Sequence, residues 1–477
     1  MSVRTRFSPS PTGMIHLGNA RAALFSALFA AKNHGSFILR IEDTDVARSE
    51  VQYVEALQDD LHWLDVNWQE GPNAEGAYGP YWQSQRQEIY AKYYQILEEK
   101  GAIYPCFCTD QELNLARKLQ LSRGQAPRYG GTCRKLSKEE IAKRISEGKK
   151  PAFRFSVPLN QTIEFTDIVK GPQQFKTDDI GDFIIRRADG TAPFLFCNAI
   201  DDAMMKITHV LRGEDHLANT PRQIMLLNAL ALSVPHYGHL SLIVGDDGTP
   251  LSKRHGSFSV HEMREKGYLP IAVINYLARL GHGCDSQALL PFAELAKHFQ
   301  LETLSRSPAR FDLVQLLFWQ KAAVQALSVQ GVWRWLGETI ENQVPESMRT
   351  LFAETIKANI EFPEDAVMWE KIFFHEYAPI DAAEAKIIHE AGEQFFVEAE
   401  QAVDKYGMEL PAILEEMKRT LNISGKKLFM PLRVALTGKT HGPELLHVAE
   451  LLGVNKMKHR LGKAFKLASD TVKKISE

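Results

Sequence analysis

Apolar positions near the start of the chain fall into two kinds of run. Residues 3–7 and 37–41 are short runs that are apolar enough for buried strands. Between them, residues 20–31 repeat apolar side chains at the spacing of one helix face, and Gly35 follows where a helix would end. The order strand, helix, strand predicts a βαβ unit with a parallel sheet and a right-handed crossover.

The pattern changes between residues 104 and 182. Prolines, glycines and mixed charge interrupt the periodicity there, and the strand-like runs at 153–157 and 163–169 are short. Apolar runs of the earlier kind return at 183–187 and 194–200. We therefore expect an α+β domain inserted into an α/β core.

The remainder of the chain has mostly helical spacing. Residues 259–320 are helical with mixed charge, and residues 321–477 contain no series of short alternating strands. The sequence thus predicts four parts: a core of residues 1–103 and 183–258, an insertion at 104–182, a helical domain at 259–320 and an all-helical domain at 321–477.

Composition narrows the class of protein. A chain of 477 residues is too long for one compact core. The formal net charge of −3 means that a nucleic acid would have to be met by local basic patches. Five cysteines do not suggest a disulfide framework, and the apolar run at 20–31 is too short to span a bilayer. We see no signal peptide and expect a soluble, cytoplasmic enzyme.

Polar side chains follow the two predicted strands of the βαβ unit. Arg6 and Ser8 close the first strand, and Glu42 follows the second. Ligands of parallel sheets bind at these carboxyl ends. His16 and Gly18 lie at the start of the intervening helix, where free N–H groups suit a phosphate. No Gly-x-Gly-x-x-Gly motif occurs, so this is not a dinucleotide-binding unit.

Three motifs in order give the chain a family resemblance. The helix start His16-Leu-Gly-Asn19, preceded by a Ser-Pro-Ser-Pro-Thr-Gly stretch from Ser8, resembles the first signature of class I aminoacyl-tRNA synthetases of the glutamyl/glutaminyl branch. Residues 245–256 resemble the second signature, a mobile Lys-x-Ser-Lys loop, with Pro250 in place of its first lysine. Residues 425–438 resemble the helical anticodon-binding cage of bacterial-type glutamyl-tRNA synthetases.

This resemblance covers essentially the whole chain and implies a reaction. A glutamyl-tRNA synthetase of this type is a Rossmann-like, two-step acyl transferase whose substrates are L-glutamate, ATP and tRNA(Glu), and whose expected state is a monomer. The resemblance places His16, Gly18, Ser252 and Lys253 at ATP, with His16 and Lys253 catalytic and Mg²⁺ sharing the phosphate charge.

The resemblance also implies an amino-acid pocket. Arg6 and Arg212 would hold the two carboxylates of glutamate, because guanidinium forks match carboxylates. Glu42 would take the ammonium group, and the rest of the lining would come from Ser8, Asn198 and Phe194. Phe194 stands where the family usually has tyrosine, so one hydroxyl is absent from the wall. An alternative for Arg6 is a structural salt bridge with Glu42.

Three cysteines of the insertion could either bind a metal ion or remain as buried thiols. Cys106, Cys108 and Cys133 could bind zinc as thiolates, with Tyr129 close by as a poor fourth ligand. The histidine that closes the site in some relatives is replaced by Lys135, and Arg134 adds a second cation. The other interpretation is a set of buried thiols, and we assign no metal ligand from the sequence.

The sequence also leaves three other functions open. Glutamine could be the amino acid, although the helical C-terminal part argues against it, since glutaminyl enzymes end in β-barrels. The chain could glutamylate a non-cognate or modified tRNA. It could also be a catalytically impaired paralogue that binds tRNA, an idea motivated by Pro250 and Phe194.

Overall fold

The computed structural model describes residues 2–44, 50–251, 259–375 and 380–475, with side chains up to residue 469. The chain divides into two compact units. The first comprises Met1–Glu265 and Pro270–Leu316, and the second comprises Lys266–Leu269 and Leu317–Glu477. The finer division into four parts stays a prediction.

The first unit mixes strands and helices. Its strands are β1 (Arg4–Phe7), β2 (Ser36–Leu39), β3 (Ile103–Cys106), β4 (Ala152–Phe155), β5 (Thr162–Asp167), β6 (Gly171–Lys176), β7 (Phe183–Arg186), β8 (His209–Gly213), β9 (His236–Leu240), β10 (Ile243–Val244) and β11 (Ala309–Arg310). Its helices are α1 (Leu17–Lys32), α2 (Val51–Trp63), α3 (Gln87–Glu99), α4 (Asp110–Ser122), α5 (Lys138–Ser146), α6 (Thr177–Ile180), α7 (Phe194–Met204), α8 (Thr220–Ala229), α9 (Val260–Glu265), α10 (Pro270–Arg279) and α11 (Phe292–His298).

A parallel sheet forms the base of the candidate site. Strands β1 and β2 pair in parallel, with Arg4 opposite Ser36, and β8 and β9 pair in parallel. The Arg4 carbonyl accepts a hydrogen bond of 2.9 Å from the Thr208 N–H, which places β8 beside β1. Helix α1 connects β1 to β2 and buries one side in the core. The predicted βαβ unit is therefore confirmed.

The segment between α3 and α7 has the expected α+β character. Strands β3, β4 and β7 form an antiparallel sheet, and β5 and β6 form a hairpin. Helices α4 and α5 begin with capping boxes at Thr109 and Ser137, and neither helix buries a side chain. Of the two apolar runs after the insertion, residues 183–186 form a strand and residues 194–204 form helix α7.

The second unit is helical. Helix α12 (Leu313–Ala326) leads into α13 (Val329–Leu336), α14 (Glu338–Glu341), α15 (Arg349–Ile356), α16 (Pro363–Phe374), α17 (Ala382–Ala391), α18 (Glu393–Tyr406), α19 (Leu410–Leu421), α20 (Lys426–Thr437) and α21 (Leu445–Ile475). The last helix is kinked at Gly453, where φ is +69°. Within the described residues of this unit no strand occurs, as the helical periodicity predicts. None of the helices that the structure describes has the length and apolar content needed to cross a bilayer.

A buried arginine joins three helices of the second unit. Arg460 on α21 is almost fully buried and donates to the carbonyls of Leu436, near the end of α20, and Ile372, near the end of α16. A further hydrogen bond of 3.1 Å reaches the His375 carbonyl. Helix ends leave such carbonyls unpaired, so one side chain satisfies groups of two helices.

We expect Arg460→Met to destabilise the second unit. The methionine fills similar space but leaves three carbonyls without their donor, at a cost of about 2–4 kcal/mol. Urea unfolding followed by far-UV circular dichroism measures the change. Arg419→Met is the matched control, since Arg419 is exposed and pairs only at the surface with Glu416. Equal stability of the two variants would contradict this role for Arg460.

Candidate active site

The predicted residues Arg6 and Glu42 lie close together, but they do not form the salt bridge considered as an alternative. The Nε of Arg6 donates instead to the Asp202 carboxylate at 3.2 Å. Arg40 lies between the two acids, 2.8 Å from Asp202 and 3.4 Å from Glu42. All four side chains are buried. Arg6 is thus held by Asp202, an acid on α7, and one carboxylate oxygen of Glu42 has no partner among the described residues.

A second buried carboxylate steadies this cluster from behind. Asp201 accepts hydrogen bonds from Arg86 at 2.6 Å, from the Tyr90 hydroxyl at 2.8 Å and from the Gln83 amide at 2.9 Å. It also lies 3.9 Å from Arg40. Arg86 is the nearest cation to this buried carboxylate, so its removal would leave the Asp201 charge poorly compensated, and we regard this group as the foundation of the pocket.

Glu42 is a buried carboxyl group with a raised pKa and one unpaired oxygen, so a cationic group could bind there. Burial is the main influence on this carboxyl and raises its pKa to about 7, although Arg40 and a hydrogen bond from Asn198 act in the opposite direction. The Asn198 amide donates to Oε1 at 2.5 Å. Oε2 is buried and has no hydrogen-bond partner among the described residues.

Arg212 is clamped by neutral side chains. Its Nε donates to His239 Nε2 at 3.1 Å, and one terminal nitrogen donates to Thr220 Oγ1 at 2.9 Å and Gln223 Oε1 at 2.8 Å. The Gln223 amide in turn donates to Asn198. Burial lowers the pKa of Arg212 to about 10, and within the described parts of the chain no carboxylate pairs with it directly. A buried cation without an acid partner suits an anionic ligand.

Three buried atoms of the predicted pocket have no partner in the part of the chain that the structure describes. They are the Ser8 hydroxyl, Glu42 Oε2 and the second terminal nitrogen of Arg212. Unpaired buried polar atoms cost about 1–3 kcal/mol each, and native proteins keep few of them. One acceptor, one charged donor and one hydroxyl are the groups that an amino acid would satisfy.

Phe194, which the sequence predicts to line the pocket, has a half-buried ring. The ring stacks on His216, with 5.4 Å between the ring centres. Its place in the pocket stays a prediction.

The predicted phosphate side lies at the start of α1. His16 is the N-cap residue, is exposed and makes no side-chain capping bond. Gly18 is also exposed, and a Cβ there would meet no atom within 4 Å. An isolated antiparallel β-bridge joins His16 to Ser259. Beside it, the Val260 N–H donates a hydrogen bond to the Ile15 carbonyl. The chain that follows the second signature therefore lies against the first.

The second signature itself is only partly described. Ser252 and Lys253, both predicted to bind ATP, lie outside the described residues. The residues before them are fixed, since Pro250 bridges to Val244 and the Leu251 N–H donates to the Ile243 carbonyl. Pro250, which replaces the first lysine of the motif, is exposed.

Sequence reasoning missed the residues that support the pocket. Arg40 lies inside an apolar strand pattern, and Asp201 and Asp202 follow an apolar run, so a charge in a buried segment was the available signal. Gln223 and His239 carried no such signal, because their importance depends on which side chains the fold places opposite them.

The three thiols of the insertion do come together. The Sγ atoms of Cys106, Cys108 and Cys133 lie within 4.8 Å of one another. The Tyr129 hydroxyl, which the sequence suggested to be a poor fourth ligand, lies 3.4 Å from both Cys106 Sγ and Cys108 Sγ. The three thiols and the Tyr129 hydroxyl thus form one cluster of four groups.

The charges around this cluster differ from those that the sequence suggested. Arg134 turns to the Asp182 carboxylate at 3.2 Å and is neutralised there. Arg154 is the cation that faces the thiols, with Nε 3.2 Å from Cys106 Sγ. Burial opposes ionisation, but hydrogen bonds from Tyr129 and Arg154 lower the pKa of Cys106, whereas burial raises the pKa of Cys108 to about 11.

Comparison with known proteins agrees with the motifs. The family model described as tRNA synthetases class I (E and Q), catalytic domain, matches residues 2–318, and an anticodon binding domain model matches residues 294–465. The chain therefore belongs to the class I tRNA synthetases of the glutamate and glutamine branch.

Relatives that match over nearly their full length indicate which of the two amino acids, glutamate or glutamine, applies. Glutamate--tRNA ligase 2 of Coxiella burnetii (strain RSA 331 / Henzerling II) is 52% identical over 97% of this chain and 99% of its own length. Glutamate--tRNA ligase 2 of Nitrosococcus oceani is 53% identical over 96% of this chain and 98% of its own. The crystal structure of a glutamate tRNA ligase from Elizabethkingia meningosepticum in complex with its amino acid has a TM-score of 0.88 at 30% identity, covering 98% of this chain and 99% of that one. The predicted family, a glutamate–tRNA ligase, is confirmed, and the alternatives are not favoured.

We expect glutamate affinity to depend on pH through Glu42. Because its pKa is raised to about 7, Glu42 gains a proton as the pH falls through that value, and the neutral acid no longer balances an ammonium group. The dissociation constant for glutamate should rise about tenfold between pH 8 and pH 6.

Isothermal titration calorimetry at a series of pH values measures this effect. The Glu42→Gln variant is the control, since it should bind weakly at every pH and show little pH dependence. A flat profile for the unaltered protein would contradict a titrating Glu42.

Proposed function

We propose that the chain activates L-glutamate with ATP and transfers the glutamyl group to the 3′ end of tRNA(Glu). The observation that carries this proposal is a chain of hydrogen bonds that joins Glu42 through Asn198 and Gln223 to Arg212, with one buried atom of Glu42 and one of Arg212 left unpaired among the described residues. The buried Ser8 hydroxyl is also unpaired there. The chemistry of these groups matches an amino acid with an anionic side chain.

Each part of glutamate has a partner in this proposal. Glu42 takes the ammonium group, and Arg6 and Arg212 take the two carboxylates. Ser8 and Asn198 complete the polar lining, with Phe194 on the apolar wall. The absence of a direct acid partner leaves the charge of Arg212 available, which favours glutamate over glutamine.

The chemistry proceeds in two balanced steps. A carboxylate oxygen of glutamate attacks the α-phosphorus of ATP, and pyrophosphate leaves with the electrons of the broken phosphoanhydride bond. A terminal hydroxyl of tRNA then attacks the carbonyl carbon, and AMP leaves. Both steps need positioning and charge stabilisation, and no protein nucleophile takes part.

The phosphates are assigned to the two signatures. His16 and the Gly18 backbone lie at a helix start, where N–H groups and the helix dipole favour an anion. Lys253, with Ser252 beside it, supports the leaving pyrophosphate. These residues would act beside Mg²⁺ bound to ATP, which would share the phosphate charge. We expect the enzyme to act as a cytoplasmic monomer.

Aminoacylation with radiolabelled glutamate, ATP and purified tRNA tests the proposal. We expect charging of tRNA(Glu), and a parallel reaction with tRNA(Gln) measures how strictly the enzyme selects its tRNA. Lys253→Met should lower the rate about 100-fold, the typical effect of losing one charge-stabilising donor. Lys297→Met, a surface change on α11, is the matched control.

One outcome of this assay would contradict the proposal. Failure of the unaltered enzyme to charge either tRNA, with tRNA still bound, would indicate an impaired paralogue. Pro250→Lys, which restores the first lysine of the motif, would then show whether Pro250 is the cause.

The finer assignment of a structural zinc ion belongs to the same proposal. Cys106, Cys108 and Cys133 would hold it, with Tyr129 as the fourth group. Their donor set fits zinc, since three sulfur atoms and one oxygen lie together and the pKa of Cys106 is already lowered. Bound zinc would crosslink the end of β3 to the segment before α5.

Metal analysis of the purified chain tests this assignment. We expect about one zinc ion per chain, with loss of zinc and a lower unfolding temperature in Cys133→Ser. Cys284→Ser is the matched control, because Cys284 lies outside the cluster. A chain free of metal, with the thiols of the cluster reactive toward a thiol reagent, would support the interpretation as buried thiols.

A further inference from the structure

The buried histidine behind Arg212 has a defined protonation pattern. His239 on β9 is fully buried, and its Nδ1 lies 2.5 Å from Asp167 Oδ2. A carboxylate only accepts hydrogen bonds, so Nδ1 must carry the proton. Nε2 therefore carries no proton. It accepts the hydrogen bond of 3.1 Å from Arg212 Nε and also lies 3.1 Å from the Thr220 hydroxyl.

Asp167 is itself held in one orientation by the backbone. Its Oδ1 accepts from the N–H groups of Val169 at 2.9 Å, Lys170 at 2.8 Å and His239 at 3.1 Å. This leaves Oδ2 for the histidine ring. Asp167 closes strand β5 of the insertion, and the neighbouring Ile168 N–H donates to the Tyr237 carbonyl on β9. The hairpin and β9 are thus fixed against each other.

The neutral ring has a particular electrostatic effect. If the carboxylate of Asp167 contacted Arg212 directly, it would cancel the charge that a substrate carboxylate needs. With His239 between them, the guanidinium is oriented by an acceptor but is not neutralised by an acid. Burial lowers the pKa of His239 and outweighs the hydrogen bond to Asp167, which acts to raise it; the nearby cation Arg212 adds to the lowering, so the ring remains neutral.

We propose that Asp167 and His239 are positioning residues for amino-acid recognition. Asp167 fixes the tautomer of His239, and His239 Nε2 orients Arg212 so that its unpaired terminal nitrogen faces the side-chain carboxylate of glutamate. This inference rests on the proposed role of Arg212. It gives the insertion a part in selecting the amino acid, in addition to any contact with tRNA.

Asp167→Asn is the sharpest test, because it preserves size and reverses the hydrogen-bond pattern. The three backbone N–H groups require the amide oxygen, so the amide NH₂ would face His239 Nδ1. The ring proton would then move to Nε2 and oppose Arg212 Nε. We expect the KM for glutamate to rise about tenfold or more, with the KM for ATP changed less than twofold.

Two histidine variants separate positioning from packing. In His239→Gln the amide oxygen can reach the place of Nε2 and accept from Arg212, whereas in His239→Asn the amide reaches only the place of Nδ1. We expect His239→Gln to keep the KM for glutamate within a few-fold of the unaltered enzyme, and His239→Asn to raise it about tenfold. Preference for glutamate over glutamine, measured as a ratio of kcat/KM values, should fall in parallel.

The controls distinguish the possible failures. Glu164→Gln makes the corresponding acid-to-amide change at an exposed site on the same strand and should leave every constant unchanged. Arg212→Leu tests the underlying assignment. If Arg212→Leu raises the KM for glutamate but Asp167→Asn and His239→Asn do not, the positioning role is wrong and the pocket assignment stands. If Arg212→Leu has no effect, the pocket assignment itself is wrong.

A purely structural role would also be visible. In that case Asp167→Asn and both histidine variants would lower thermal stability and change the KM for glutamate, ATP and tRNA together. Equal effects of His239→Gln and His239→Asn on the KM for glutamate would likewise overturn the proposal.

Discussion

The buried guanidinium of Arg40 is the interaction on which the candidate site depends. It is fully enclosed, yet three carboxylates lie close by: Asp202 at 2.8 Å, Glu42 at 3.4 Å and Asp201 at 3.9 Å. Burial alone would lower its pKa, but these acids raise the pKa overall. Arg40 therefore joins the end of β2 to α7, the helix that carries Asp201, Asp202 and Asn198.

Charge balance follows from this arrangement. Three arginines of the cluster (Arg6, Arg40 and Arg86) face three acids (Glu42, Asp201 and Asp202), so the foundation is neutral as a whole. Arg212 is additional and adds one positive charge to the pocket. Glutamate carries one net negative charge at neutral pH, which is the charge that such a pocket lacks. Glutamine carries none, so the net charge of the pocket favours glutamate.

Local features could be predicted from the sequence, whereas the supporting network could not. The βαβ unit follows from periodicity, and Arg6, Ser8 and Glu42 follow from their places at strand ends. Asp202 and Arg40 are 162 residues apart, and no local pattern indicates that they meet. Tyr129 differs, because its place near Cys133 in the sequence already suggested it as a neighbour of the thiols, and its hydroxyl lies 3.4 Å from two of them.

The hairpin that ends in Asp167 also has an evolutionary consequence. An inserted domain is often regarded as a module that can be lost, lengthened or exchanged without affecting the domain that hosts it. Here Asp167, at the end of β5 in the segment predicted to be inserted, contacts His239 of β9, which in turn contacts Arg212. Exchange between enzymes of different amino-acid specificity would therefore have to carry both members of the pair, and the two domains are constrained to change together.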